Sequence, residues 1–187
     1  MTLPSVSVII PTLNAEGEIG QLLDALQEQS LKPCEILVVD SESNDRTIEI
    51  ASSRESISVV RIKRLSFNHG TTRHEAFLRT SGEFVCYLTQ DALPADVSYL
   101  NNLVAPMLKD ASISLVSGRQ LPKRDARRFV QLVQHFNYSN EPNVRTAEDL
   151  SMYGIKTFFA SDACSCYRRS AYLSLIHISE PTRRTPI

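Results

Sequence analysis

The chain has 187 residues, 42% hydrophobic and 22% charged, which is the composition of one soluble globular domain with room for a substantial core. Its 20 Lys and Arg against 21 Asp and Glu leave a formal charge of −1, which argues against bulk binding of nucleic acid. The four cysteines (Cys34, Cys86, Cys164, Cys166) suggest no disulfide framework, no apolar run reaches transmembrane length, and no basic segment precedes Val6, so a cytoplasmic protein without a signal peptide is expected.

Val6 to Ile10 is a continuous apolar, β-branched run ending at Pro11, as in a buried parallel strand. Thr12 to Asn14 form a turn, and Ile19, Leu22, Leu23 and Leu26 then mark one stripe of a helix. Pro33 closes that segment, and Glu35 to Val39 reads as a second buried strand running into the polar stretch Asp40 to Asp45. A helix over 46–53 and a strand over 57–62 complete a βαβαβ half, the pattern of a parallel sheet. Phe67-Asn-His-Gly70 is a turn before a helix that carries Arg73 and runs to about Arg79. Glu83 to Leu88 is the next strand, stopped by Thr89-Gln90-Asp91 and Pro94.

A helix starting near Asp96 places Leu100, Leu103, Val104 and Met107 on one face, and Ile113 to Ser117 is a further strand. Phe129, Leu132, Val133 and Phe136 repeat the helical stripe, with His135 beside it. Periodicity fades from Asn137 to Tyr153, and Phe158 to Tyr167 reads as a last strand or a buried turn. Leu173 to Arg183 matches the in-frame translation of a transposase-type sequencing adapter, so Tyr172 is taken as the last native residue and 173–187 as an adapter-derived tail.

Four polar clusters follow successive strands: Thr12/Asn14, Asp40/Ser41/Ser43, His69/Arg73 and Gln90/Asp91. In a parallel sheet these strand ends share one edge, where ligands of open α/β proteins bind. A carboxylate such as Asp91 can hold a divalent cation there, or it can cap the following helix. His69 suits a phosphate or sugar contact, or a turn satisfied by backbone. The basic run Lys123, Arg124, Arg127, Arg128 suits anionic lipid headgroups or a solvated helix face.

Val8-Ile-Ile-Pro-Thr-Leu-Asn14, Val38-Val-Asp-Ser-Glu-Ser43 and the strand end at Asp91 resemble the nucleotide-sugar half of family-2 glycosyltransferases of the GT-A fold. Phe67-Asn-His-Gly70, Leu88-Thr-Gln-Asp-Ala-Leu-Pro94, Gly118-Arg-Gln-Leu-Pro122 and Ser161-Asp-Ala-Cys-Ser165 are similar to the rhamnosyltransferase subgroup. The resemblance implies a mostly parallel sheet with helices on both faces, incomplete at its C-terminal end. It implies that Pro11, Thr12 and Glu16 line the base and ribose pocket. Asp40 would bond the uracil or thymine edge, with Ser41 and Ser43 nearby and Arg73 and Gln90 at the nucleotide. Asp91 would match the last acid of the Asp-X-Asp metal motif, for Mg2+ or Mn2+, where Thr89 replaces the first acid. Asp162 and Arg168 would begin the acceptor-facing segment.

The implied activity is inverting transfer of a deoxyhexose, with dTDP-rhamnose the favoured donor, to a glycan or lipid-linked acceptor, with possible peripheral contact at the inner face of the membrane. Such a transfer needs a base for the acceptor hydroxyl. In the family it comes from an acidic pair downstream of Ser161–Arg169, so it is expected beyond Tyr172 and the chain is expected to be truncated and inactive in transfer. Glu148-Asp149 precedes that segment and reads as a solvated or helix-starting pair. Two alternatives stay open, a catalytically dead nucleotide-sugar-binding fragment and a pyrophosphorylase. The latter class needs a Gly-rich phosphate loop, and no glycine precedes Gly17.

Overall fold

The computed structural model describes residues 3–122, 127–138 and 141–179. Strands β1 (Val6–Thr12), β2 (Glu35–Asp40), β3 (Ile57–Arg61) and β4 (Phe84–Leu88) are joined through helices α1 (Ile19–Gln27), α2 (Thr47–Ser52) and α3 (His69–Leu78). After β4 come α4 (Tyr99–Lys109), β5 (Leu115–Ser117), α5 (Arg128–Asn137), α6 (Leu150–Tyr153), β6 (Cys164–Arg168) and α7 (Arg169–Ser179). The strands form one sheet in the order β3-β2-β1-β4-β6-β5, with β1 to β4 parallel.

Helices on both faces explain why the central strands are apolar almost throughout. The strand period of two is still visible in β1, where Val6, Val8 and Ile10 join a core with α1 and α4 while Ile9 joins Phe77 of α3 on the other face. Each expected helical stripe of the first half is buried: Ile19, Leu22, Leu23 and Leu26 in α1, and Leu100, Leu103, Val104 and Met107 in α4.

The last strand is resolved in favour of β6, which pairs antiparallel with both β4 and β5. Its register sets Leu88 opposite Cys164 and Phe84 opposite Arg168. The start of β6 therefore lies at the edge where β1, β2 and β4 end, and Arg168 lies at the opposite edge. There the Arg168 guanidinium donates to Met107 O at 2.6 Å and Ile113 O at 3.2 Å, and stacks over Phe84. Arg168 thus caps the C-terminal end of α4, where carbonyls without helical partners attract a cation.

Two further details differ from the sequence reading. Helix α4 starts at Tyr99, because Asp96 Oδ1 accepts from Ser98 N and closes a turn before it. The stripe of α5 forms, yet Phe129, Leu132 and Phe136 are exposed, with Lys156 Nζ over the Phe136 ring at 4.9 Å. Arg127 and Arg128 are exposed too, while Lys123, Arg124 and the His135 side chain lie outside the described residues.

Tyr172 is the innermost anchor of α7, stacked on Phe77 with ring centroids 3.9 Å apart and 3.1 Å from His74 Nδ1. Arg169 reinforces the same contact through Thr80 Oγ1 at 2.8 Å and the face of Phe77. Leu173 and Leu175 beyond it are exposed. No helix among the described residues is long and apolar enough to cross a membrane.

Candidate active site

The order β3-β2-β1-β4 places a switch point between β1 and β4, where successive connections depart to opposite sides. The Gln90 side chain spans it: Leu13 N donates to Gln90 Oε1 at 2.8 Å, and Gln90 Nε2 donates to Leu13 O at 3.2 Å. This two-bond clasp fixes the ends of both strands without consuming the rest of the Thr89–Asp91 turn.

The loop after β2 is held from within. Asp40 Oδ1 accepts from Ser43 N at 2.9 Å, and Oδ2 accepts from Ser43 Oγ at 2.5 Å and Thr12 Oγ1 at 3.2 Å. Ser43 Oγ in turn accepts from Asn14 N at 2.8 Å, and Glu16 Oε2 accepts from Arg46 N at 3.1 Å at the start of α2. Asn14 and Glu42 occupy the left-handed region, at φ 50° and 58°. Asparagine tolerates that conformation, whereas glutamate enters it at a cost of about 1–2 kcal/mol. Glu42 is kept there by Arg64 N, which donates to its Oε2 at 2.8 Å. Strain of this kind, held by several bonds, is a mark of functional loops.

The Phe67–Gly70 motif has a local cause. Asn68 is the N-cap of α3, and its Oδ1 accepts from Gly70 N and Thr71 N, both at 3.0 Å. That cap sets His69 on the first turn, edge-on to Phe67 at 4.9 Å. One turn later Arg73 donates from Nη1 to His69 O and lies 3.1 Å from His69 Nδ1. Arg73 Nε is 3.5 Å from Asp162 Oδ2, a charge pair rather than a hydrogen bond, which leaves that buried Nε without a hydrogen-bond partner. Asp162 also accepts from Tyr167 Oη at 3.1 Å, and burial together with the Asp162 charge pushes the Tyr167 phenol up to about 12. Tyr167 therefore stays protonated and donates.

These elements enclose a pocket of about 350 Å3 at the switch point. Pro11, Thr12, Ser41, Arg73 and Gln90, all expected at the nucleotide, line it. Asp40, Ser43 and Glu16 do not; they brace the loops behind it. Leu13, Arg64, Phe67, His69 and Thr89 complete the lining. Of these, Leu13 lies within the Val8–Asn14 motif, whereas Arg64 carries no sequence signal, because only the crossing of two loops brings it to the wall. Asp162 reaches the pocket rim indirectly, through Arg73.

The profile of glycosyl transferase family 2 matches residues 7–175. The chain belongs to that family. It is 39% identical over 178 residues to the O-antigen chain rhamnosyltransferase RfbN of Salmonella typhimurium, covering 95% of this chain and 56% of RfbN. It is 34% identical to the O-antigen chain rhamnosyltransferase WbaN of Salmonella anatum, covering 96% of this chain and 57% of WbaN. This family-2 chain thus spans little more than half the length of these relatives. Among solved structures, residues 1–349 of TarS from S. aureus superpose with a TM-score of 0.64 at 25% identity, covering 96% of this chain and 51% of that one. The mannosyltransferase PcManGT of Pyrobaculum calidifontis, solved with GDP-Man and Mn2+, gives 0.63 at 23% identity over 98% of this chain and 49% of that one. Both confirm the GT-A fold.

For a family-2 member the cation site is the remaining question. Among the described residues no three His, Cys, Asp or Glu side chains converge as metal ligands. Asp91 is exposed at the turn after β4, next to the pocket-lining Thr89 and Gln90. Hard cations such as Mg2+ are commonly held by one or two carboxylates plus substrate phosphates, so one Asp beside a pocket fits a cation shared with a diphosphate and not an all-protein cage. Asp91 is also free of the capping role, since α4 begins at Tyr99 with no side-chain cap.

Proposed function

We propose that the chain is the donor-binding part of an inverting rhamnosyltransferase. It transfers rhamnose, or a related deoxyhexose, from its nucleotide-diphosphate donor, with dTDP-rhamnose favoured, to a glycan or lipid-linked acceptor in polysaccharide synthesis, in the cytoplasm at the inner face of the membrane. The observation that carries this reading is the 350 Å3 pocket at the switch point, flanked by Arg64, His69 and Arg73, in a chain 39% identical to an O-antigen rhamnosyltransferase.

Each side of the pocket suits one part of such a donor. The apolar walls at Pro11, Leu13 and Phe67 suit the flat base. Arg73 supplies positive charge where negative charge grows on the departing diphosphate, and its fixed bonds to His69 limit the reorganisation needed at that moment. A divalent cation at Asp91, when bound, adds further charge to the same leaving group. Asp162, paired with Arg73, begins the acceptor-facing segment on this reading. The Glu148-Asp149 pair is not the base on this reading, because Asp149 accepts from Thr146 N in a capping box. Residues 1–172 form the native part, and 173–187 the adapter-derived tail.

Titration calorimetry with dTDP-rhamnose and UDP-glucose in the presence of Mn2+ tests the assignment. Tighter binding of dTDP-rhamnose is expected. A clear preference for the UDP-hexose would overturn it.

A further inference from the structure

We infer that Glu42 is a positioning residue for the donor pocket: its carboxylate ties the loop after β3 to the loop after β2 and so sets Arg64 and Phe67 in the pocket wall. The inference rests on the nucleotide-diphosphate reading and adds to it a residue that acts without lining the pocket.

Glu42 sits at φ 58°, where its β-carbon crowds the following carbonyl. Glycine would adopt that conformation freely. A strained residue persists where its surroundings hold it. The hold on Glu42 comes through its own side chain, which crosses to a segment 22 residues on and accepts from Arg64 N at 2.8 Å.

That segment has little else to fix it. Ile62 N donates to Asp40 O at 2.8 Å at its start, and Asn68 caps α3 at its end. Between them Arg64–Ser66 form a single 3-10 turn with no buried residue, and Leu65 is fully exposed. Ser66 N and Phe67 N bond back to Lys63 O and Arg64 O within the same turn. Among the described residues, the bond to Glu42 is the one hydrogen bond that joins 63–67 to another element.

Arg64 and Phe67 nonetheless line the pocket, together with Ser41 from the loop that carries Glu42. One carboxylate therefore fixes the distance between two walls that rise from different strands. Core packing cannot do this here, because the turn is exposed. The bond adds little stability for the same reason: without Glu42, water satisfies Arg64 N–H, but water does not specify a position. Holding wall groups where the ligand needs them lowers the ordering that binding must otherwise supply.

Three variants separate the bond from the strain. Glu42→Ala removes the carboxylate and keeps the strained backbone, Glu42→Gly removes both, and Glu42→Gln keeps an oxygen that can accept. Hydrogen exchange of the 63–67 amides is measured without ligand, dTDP affinity by calorimetry, and Tm by thermal unfolding. Exchange at 63–67 is expected to quicken, and dTDP binding to weaken, about three- to tenfold alike in Glu42→Ala and Glu42→Gly, the value of one exposed hydrogen bond. Glu42→Gln is expected to stay near wild type in both. Tm is expected to be higher for Glu42→Gly than for Glu42→Ala, so that affinity and stability separate. Unchanged exchange at 63–67 in Glu42→Ala overturns the tie, as does a Glu42→Gln chain that loses as much as Glu42→Ala. Unchanged dTDP affinity beside faster exchange overturns its role in the pocket. A dTDP affinity that recovers in Glu42→Gly assigns the effect to backbone strain and also overturns the inference. A wild type that does not bind dTDP removes the donor reading instead, and the exchange measurement then still decides the tie.

Discussion

Truncating Asp40 tests the idea that this carboxylate serves the loop and not the ligand. Asp40→Ala removes three bonds to one buried charge, from Ser43 N, Ser43 Oγ and Thr12 Oγ1. A hydrogen bond to a charged group contributes about 1.5–3 kcal/mol, but bonds that share an acceptor do not add in full. The two hydroxyls can turn elsewhere, whereas Ser43 N–H is left buried and unpaired. The net loss is therefore about 3–5 kcal/mol. Each kcal/mol moves Tm by about 2–4 °C in a domain of this size, so a fall of roughly 6–20 °C is expected. Asp40→Asn keeps an oxygen for Ser43 N–H and lets both hydroxyls accept from the amide, so about 1–2 kcal/mol is expected there. Thermal unfolding without ligand measures both, and dTDP calorimetry well below each Tm measures what binding remains. An Asp40→Ala chain with wild-type Tm and abolished dTDP binding would refute the reasoning and return Asp40 to the base pocket.

Asp91→Asn should weaken Mn2+-dependent dTDP binding more than about tenfold, or 1.4 kcal/mol, with Tm unchanged because the side chain is exposed; equal metal-dependent affinity in a titration would dismiss the cation role. Burial raises the Glu35 carboxyl, but hydrogen bonds from Ser7 and Ser81 outweigh it and hold the group below its ordinary value of 4.5. Its contribution to stability is thus present above 4.5 and lost as pH falls through the depressed folded value. The Tm gap between wild type and Glu35→Gln should accordingly close as pH falls below 4.5, and a gap that widened in acid would contradict the assignment. Deleting residues 173–187 should leave Tm and dTDP affinity unchanged, since Tyr172 is the inner anchor of α7 and Leu173 and Leu175 are exposed; a large loss of Tm on deletion would show that the tail belongs to the fold.

The sequence by itself determined the elements that depend on local pattern. Short runs rich in β-branched residues at Val6–Ile10 and Glu35–Val39, ended by turn residues, read as buried strands, and the stripes of α1 and α4 read as helices with one face inward. The alternation of the two then dictates a parallel sheet whose polar strand ends meet along one edge, and Pro11, Thr12, Ser41, Arg73 and Gln90 do meet there. Tertiary structure alone decided which polar groups face a ligand and which face each other. Asp40 and Ser41 are neighbours in the chain, the first expected at the base and the second beside it, yet the carboxylate is consumed by Thr12 and Ser43 while the adjacent hydroxyl is left unpaired in a residue that lines the pocket. The same holds for Asp162 and Arg168. The antiparallel course of β6 carries the first to Arg73 and the second to the far edge at α4, and strand direction is a property of pairing over long separations that no local pattern encodes.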